Sequence, residues 1–205
     1  MFLVDSHCHL DGLDYQSLHK NVDDVLAKAA ARDVKFCLAV ATTLPGYRSM
    51  RELVGVRDNV VFSCGVHPLN QDEPYEVETL RTLAAEEGVV AMGETGLDYF
   101  YTPETKVQQQ TSFRDHIRIG RELNKPVIVH TRDAATLLPQ VCRIAVEFGE
   151  LDLAWIAFPR GPGRELVVEA IYQRVGRRPI APAELHCRQP LEALLARPLI
   201  VNEPQ

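Results

Sequence analysis

The chain has 205 residues, of which 46% are hydrophobic and 24% are charged, and its formal net charge is -6 at neutral pH. This composition supports one sizeable hydrophobic core, and the acidic balance gives no electrostatic reason to expect DNA or membrane binding. The apolar runs are too short for a bilayer span or a signal peptide, and five cysteines without metal-finger spacing predict free thiols in a cytoplasmic protein.

Short apolar runs alternate with amphipathic segments through the first two-thirds of the chain. Apolar runs typical of β-strands occupy residues 1–4, 35–41, 60–65, 89–92 and 127–129. Segments with apolar residues at helical spacing lie between them, near residues 17–32, 46–54, 77–87 and 105–123. Strands that alternate with helices predict a parallel sheet in an α/β fold.

The spacing of these strands favours a (β/α)8 TIM barrel over a doubly wound open sheet. Successive strands begin roughly 30 residues apart, which agrees with a typical total of about 250 residues for eight βα units. An open sheet gives the same alternation. However, polar candidates follow strands one, three, four and five, and in a barrel all of these strand ends meet at one mouth.

The last third of the chain does not continue this pattern. No lysine follows Lys125, and arginine and proline become frequent. Helices are predicted near residues 137–148, 164–175 and 183–196, and strands near residues 153–158 and 199–201. The remaining length holds about two more βα units, whereas a closed barrel needs three. We therefore expect residues 1–133 to form the first five units of a TIM barrel. Residues 134–205 are then a divergent or frame-shifted part that leaves the barrel incomplete or altered.

Two histidines stand two residues apart at the end of the first predicted strand. Alternate residues of a strand face the same side, so Asp5, His7 and His9 are expected to project together. Neutral imidazoles suit zinc and similar divalent ions, although an isolated pair of this kind is more often unrelated to metal. Cys8 faces the other side of the strand and is expected to pack against the core.

Two later strand ends supply further candidate ligands. Glu94 follows the fourth predicted strand, and His130 follows the fifth. Together with His7 and His9 they make a plausible ligand set for one or two divalent ions, in which Glu94 can bridge. The chemistry that this set predicts is hydrolysis by metal-activated water.

Four motifs follow one another in the same part of the chain: DSHCHLD at residues 5–11, GVHP at 65–68, GETGLDY at 93–99 and PVIVHTRD at 126–133. They resemble the TatD family of metal-dependent deoxyribonucleases, and its YcfH-like branch in particular, over residues 1 to about 133. The resemblance implies a TIM-barrel hydrolase that uses one or two divalent ions (Mg²⁺, Mn²⁺ or Zn²⁺). It also implies a phosphodiester substrate such as DNA, and it indicates neither a membrane nor a protein partner.

The same resemblance assigns roles to individual residues. The implied metal ligands are His7, His9, Glu94 and His130, and Glu94 is also the catalytic residue. The residues implied to lie near the substrate or to position it are His67, Asp98, Tyr99 and Arg132.

The resemblance stops short of two residues that the family carries later in the chain. These are a metal-binding histidine after strand six and an aspartate general base after strand eight. Two short segments resemble these motifs, Leu185–Cys187 and Leu199–Pro204. The first comes too late in the chain and the second follows it too closely, and chance matches of this size are common. Proton removal would then fall to Glu94, Asp98 or bulk water. We therefore expect activity below that of a complete relative by about 10²–10⁴-fold.

Two other functions stay open on the sequence alone. The same motifs would serve an amide or ester hydrolase of the amidohydrolase type, and a partial barrel could bind a metal or a partner without catalysis. The run Tyr99–Tyr101 could stack on a base, although lid packing fits it nearly as well. His116 falls inside a predicted helix rather than at a strand end, so we expect it to be solvated or partly packed.

Overall fold

The computed structural model describes residues 2–72, 74–132, 134–148, 153–160, 165–174, 176 and 200–201. Within these residues the chain forms eight β-strands and five α-helices. None of the described helices combines the length and the apolar character needed to cross a membrane.

Strands and helices alternate as predicted from the first strand to the fifth helix. The strands are β1 (Leu3–Cys8), β2 (Val34–Val40), β3 (Val60–Cys64), β4 (Val89–Asp98), β5 (Val127–Arg132), β6 (Leu153–Arg160), β7 (Glu165–Gln173) and β8 (Ile200–Val201). The helices are α1 (Val22–Ala30), α2 (Leu44–Val54), α3 (Val77–Ala84), α4 (Lys106–Glu122) and α5 (Ala134–Phe148).

Six of the strands form one parallel sheet in the order β1-β2-β3-β4-β5-β8. The first five follow chain order, and a helix connects each strand to the next. This succession is that of the first five units of a TIM barrel, and it brings the carboxyl ends of the strands to one edge. The short strand β8 pairs with β5, with Ile200 opposite Ile128.

The chain departs from the barrel pattern after α5, as predicted. Strands β6 and β7 pair antiparallel with each other in a separate two-stranded sheet. The prediction of a helix at residues 164–175 is therefore wrong. Its apolar residues, such as Val167 and Ile171, also suit a strand, and cross-strand pairing with β6 decides the outcome. The helix predicted at residues 183–196 lies outside the described residues.

Local sequence signals set the beginnings and ends of the helices. The Asn21 side chain caps α1 by accepting a hydrogen bond from the Asp24 N–H at 2.9 Å. Thr43 caps α2 by accepting from the Gly46 N–H, also at 2.9 Å. Gly55 ends α2 in a left-handed conformation with φ +70°.

Helix α4 links the hydrophobic core to the carboxyl ends of the strands. Phe113 and Ile117 face the core, and the Phe113 side chain is completely buried. The same helix also buries two polar side chains, Gln109 and His116, each 0% exposed. Buried polar groups need hydrogen-bond partners. Gln109 and His116 find theirs in the loops at the edge of the sheet, so α4 holds these loops in place.

Candidate metal centre

The end of β1 brings two imidazoles together. The ring centroids of His7 and His9 lie 5.1 Å apart. His9 Nδ1 lies 2.9 Å from the carbonyl oxygen of Val40, so Nδ1 carries the proton and Nε2 keeps a lone pair for a metal ion. Asp5 is exposed and accepts a hydrogen bond from the His7 N–H at 3.1 Å. The Cys8 thiol donates to the Leu38 carbonyl at 3.3 Å and packs against the core, as predicted.

Glu94 on β4 lies between two groups of histidines. Its Oε2 is 3.4 Å from His7 Nε2, whereas its Oε1 is 3.2 Å from His130 Nδ1 and 4.0 Å from His67 Nε2. Burial by itself would raise the pKa of Glu94. Hydrogen bonds with His130 and His7 outweigh burial and hold that pKa well below its usual range. The buried carboxylate is therefore ionised and faces imidazoles on both sides.

Glycines let the strand ends approach closely enough for these contacts. At Gly96, where φ is +144°, an added Cβ would overlap the carbonyl oxygen of His130 on β5. At Gly65 an added Cβ would lie 2.5 Å from the Cα of Gly93 on β4. Because neither position has room for a side chain, the exits of β3, β4 and β5 converge, and the Glu94 and His130 side chains meet.

His130 is held between two carboxylates. Its Nε2 lies 3.3 Å from Asp98 Oδ2, while its Nδ1 faces Glu94. Asp98 is completely buried, and its Oδ2 also accepts a hydrogen bond from Arg132 Nε at 3.2 Å. The hydrogen bond to ionised Glu94 requires a proton on Nδ1. As a metal ligand, His130 would instead carry its proton on Nε2, donate it to Asp98 and offer the Nδ1 lone pair to the ion. This is the arrangement found in carboxylate–histidine–metal sites.

His67 follows β3 and is nearly buried. Its Nδ1 accepts a hydrogen bond from the Leu69 N–H at 3.1 Å, so the ring proton resides on Nε2, which faces Glu94. Burial and the neighbouring His130 lower the pKa of His67 to about 4. The ring is therefore neutral near pH 7, and its Nε2–H is a donor that suits a substrate oxygen better than a metal ion.

The expectation that His116 is solvated or partly packed is wrong. Its Nε2 accepts a hydrogen bond from the Val66 N–H at 3.0 Å, and its Nδ1 donates to the Ser112 carbonyl at 2.7 Å. Because Val66 precedes His67, this contact fixes the turn that presents the His67 ring. The available sequence signal was a polar residue one turn from Phe113 on the inward face of α4.

Burial of neutral His116 should make the protein less stable in acid. Burial lowers the pKa of His116 to about 4, whereas the unfolded value is about 6.5. The unfolded chain therefore takes up this proton first. The stabilisation is complete above about pH 6.5 and is lost as the pH falls to about 4, by on the order of 3 kcal/mol. Urea unfolding across this range measures the loss. His116→Gln keeps an acceptor near Val66 without titrating, so an equally steep loss in that variant would contradict the assignment.

The turn after β4 is anchored by Asp98 and Gln109. The backbone N–H groups of Phe100 and Tyr101 both donate to Asp98 Oδ1 at 3.1 Å. Gln109 accepts from the Asp98 N–H at 2.7 Å and donates to the Asp98 carbonyl at 2.9 Å. Sequence reasoning missed Gln109, although a glutamine one turn before Phe113 on the apolar face of α4 was a usable signal.

Tyr99 contacts helices rather than the histidine cluster. Its hydroxyl accepts a hydrogen bond from Gln110 Nε2 at 2.8 Å and donates to Gln140 Oε1 at 3.3 Å. The ammonium of Lys106 lies 4.9 Å from the centroid of its ring. A contact between Tyr99 and substrate stays a prediction.

The potential donor atoms form two groups that share Glu94. One group is His7, His9 and Glu94, and the other is His67, Glu94 and His130. Within each, the donor atoms all lie within 4.8 Å of one another. Imidazole nitrogens with a carboxylate suit divalent ions of the zinc and manganese type, so the residues present fit such an ion. Because His67 Nε2 carries the ring proton, His130 and Glu94 are the members of the second group that would ligate an ion. Glu94 would then be shared if two ions were bound.

The late echoes of the family motifs fall mostly outside the described residues. His186 in Leu185–Cys187 and Glu203 in Leu199–Pro204 are not described, and the structure describes only Ile200–Val201, as β8.

A parallel half-barrel with histidines and a carboxylate at the carboxyl ends of its strands is typical of metal-dependent TIM-barrel hydrolases. The chain belongs to the TatD related DNase family, whose family model matches residues 4–152. It is 87% identical over 134 residues to the uncharacterized metal-dependent hydrolase YcfH of Escherichia coli K12. It is also 38% identical over 120 residues to the 3'-5' ssDNA/RNA exonuclease TatD of Shigella flexneri.

These matches cover part of each protein. The YcfH match spans 65% of this chain and 51% of YcfH, and the TatD match spans 56% and 45%. The chain thus spans about half the length of the curated relatives it matches. The crystal structure of YjjV, a TatD homologue from E. coli K12, superposes with a TM-score of 0.60 at 25% identity over 68% of this chain and 54% of YjjV. The predicted family and barrel class are confirmed.

Proposed function

We propose that the chain acts as a metal-dependent hydrolase that cleaves phosphodiester bonds in DNA. The observation that carries the proposal is the position of Glu94, an ionised carboxylate that is shared by two groups of imidazoles at the edge of the sheet. The relative from Shigella flexneri, which is named an exonuclease on ssDNA and RNA, supports a nucleic-acid substrate.

Four residues would hold one or two divalent ions: His7, His9, Glu94 and His130. A divalent ion bound there, such as Mg²⁺, Mn²⁺ or Zn²⁺, supplies Lewis acidity and lowers the pKa of water. The chain fixes the donors beforehand, because the Val40 carbonyl sets the His9 tautomer and Asp98 orients His130.

The substrate side of the proposed site carries donors for phosphate oxygens. His67 presents an Nε2–H, and Arg132 presents a guanidinium that Asp98 holds through Nε. Charge-assisted donors of this kind bind phosphate strongly. Asp98 itself acts as a positioning residue in this proposal, because its two oxygens already accept from the chain.

Proton removal is the weak step of the proposed site. Asp98 is completely buried and fully engaged, so it is poorly placed to take a proton from water. The hydrogen bonds that lower the pKa of Glu94 also make it a weak base. Bulk water then accepts the proton, and the rate should fall short of a site with a positioned base by about 10²–10⁴-fold.

We extend the proposal to the organisation of the chain. Residues 1–133 supply the metal-binding units, and residues 134–205 are a divergent or frame-shifted part; the change in composition and the antiparallel pairing of β6 and β7 support this division. Translating the source DNA in all frames beyond codon 133 tests the frame shift, and absence of strand-six and strand-eight motifs in every frame would contradict it. On composition and cysteine content we also propose a cytoplasmic location.

Hydrolysis of single-stranded DNA by the purified chain tests the proposed function. We expect slow cleavage with added Mg²⁺ or Mn²⁺, loss of cleavage in EDTA, and loss in His7→Ala because one ligand is removed. His19→Ala is the matched control, since His19 contacts Asp24 and Lys28 away from the cluster. A cleavage rate equal to that of a complete relative would contradict the proposal that the site is impaired. Cleavage of a small ester but not of DNA would favour the amide or ester hydrolase instead, and absence of both bound metal and hydrolysis would overturn the proposal.

A further inference from the structure

Two aromatic rings beside the candidate metal centre are more than half exposed. Phe100 is 62% exposed and Tyr101 is 57% exposed. Their ring centroids lie 4.8 Å apart in an edge-to-face arrangement, and the guanidinium carbon of Arg132 lies 4.7 Å from the centroid of the Tyr101 ring. Adjacent aromatic side chains with this exposure contribute little to the core and offer apolar surface to a ligand.

The turn that carries these rings is held by buried hydrogen bonds. The N–H groups of Phe100 and Tyr101 both donate to Asp98 Oδ1. Gln109, which is completely buried, ties the same turn down by donating to the Thr102 carbonyl at 3.0 Å. The rings are therefore presented in a fixed place, and covering them with a ligand costs little additional ordering of the chain.

Asp98 also connects the exposed rings to the metal centre. Its Oδ1 holds the aromatic turn, while its Oδ2 lies 3.2 Å from Arg132 Nε and 3.3 Å from His130 Nε2. A cation thus stands between the exposed rings and a candidate metal ligand. A nucleotide carries its groups in the same order: an aromatic base, an anionic phosphate and the bond to be cleaved.

We propose that Phe100, Tyr101 and Arg132 form a subsite for one unpaired nucleotide of a single-stranded nucleic acid. The base stacks on the face of one ring and contacts the second ring, which stands perpendicular to the first, along its edge. The adjoining phosphate contacts the guanidinium. The inference rests on the proposed function and specifies which part of the substrate is recognised. Bases in a duplex are stacked on their neighbours and paired, so the subsite selects single strands or unpaired ends.

Binding of a labelled single-stranded oligonucleotide at low salt, in EDTA to prevent cleavage, tests the subsite. We expect Phe100→Ala and Tyr101→Ala each to weaken binding about 10-fold, the order for one lost base–aromatic stack. Phe100→Trp should restore affinity, because any flat ring can stack. Val56→Ala is the matched control, since Val56 is 93% exposed in the loop between α2 and β3 and should leave binding unchanged.

Oligonucleotides with a single abasic position identify the stacked base. When the missing base is the one that occupies the subsite, Phe100→Ala should weaken binding of that oligonucleotide by much less than about 10-fold, because the stack is already lost. When the abasic position lies elsewhere, Phe100→Ala should still weaken binding about 10-fold. Unchanged affinity in both alanine variants, or an effect independent of the abasic position, overturns the subsite. Unchanged affinity with an altered oligomeric state assigns the rings to a contact between copies and also overturns it. If the loss of affinity depends on the abasic position but the protein cleaves no DNA, the subsite is supported and the proposed function is contradicted.

Discussion

Replacing Glu94 with glutamine should remove metal binding and, with it, hydrolysis. Glutamine keeps the shape of the side chain but lacks the charge that faces His7, His67 and His130 within a buried site. It also has one acceptor oxygen in place of two, so it cannot serve both groups of histidines. Loss of an outer-shell partner lowers metal affinity about 10–100-fold. We therefore expect loss of the shared carboxylate to exceed about 100-fold, as measured by Mn²⁺ titration and metal analysis.

Glu87→Gln provides the matched control for this change. Glu87 is exposed in the turn between α3 and β4, so the same chemical substitution removes a solvated charge. Metal affinity and hydrolysis should be unchanged in this variant. Wild-type metal content and affinity in Glu94→Gln would contradict the shared-carboxylate arrangement.

Truncating Phe113 should cause the largest loss of stability among these variants. Phe113 is completely buried in the main core, and truncation of such a residue to alanine typically costs about 3–5 kcal/mol. The loss matters for the site, because the same helix carries Gln109 and His116, which hold two of its loops. Urea unfolding at low temperature measures the change.

Val107→Ala on the same helix is the reference for that experiment. Val107 is 72% exposed, so its truncation should change the unfolding free energy by no more than about 0.5 kcal/mol. Similar losses in the two variants would contradict the buried position of Phe113.

The strands of the half-barrel were predictable because their signals are local. Each of β1 to β5 contains an apolar run, and the polar motifs at the ends of β1, β4 and β5 predicted that His7, Glu94 and His130 lie at one edge. The predicted fourth strand stopped at Met92, whereas β4 continues to Asp98. Positive φ at Gly93 and Gly96 allows the polar motif to continue the strand, and the lack of side chains there allows close contact with β3 and β5.

Other features depended on contacts between distant parts of the chain. The segment Glu165–Gln173 has apolar residues that suit a helix or a strand, and only its partner β6 decides between them. The burial of His116 depends on the backbone of Val66, fifty positions earlier in the chain. Which nitrogen of His9 or His67 carries the proton depends in the same way on a neighbouring carbonyl or N–H.

The central place of Asp98 has a consequence for how mutational effects combine at this corner of the molecule. One carboxylate joins the aromatic turn, Arg132 and His130. Because all three partners bind the same carboxylate, the free-energy effects of substitutions in them should be strongly coupled rather than additive. A change in the aromatic turn therefore alters the free-energy cost of a second change at His130.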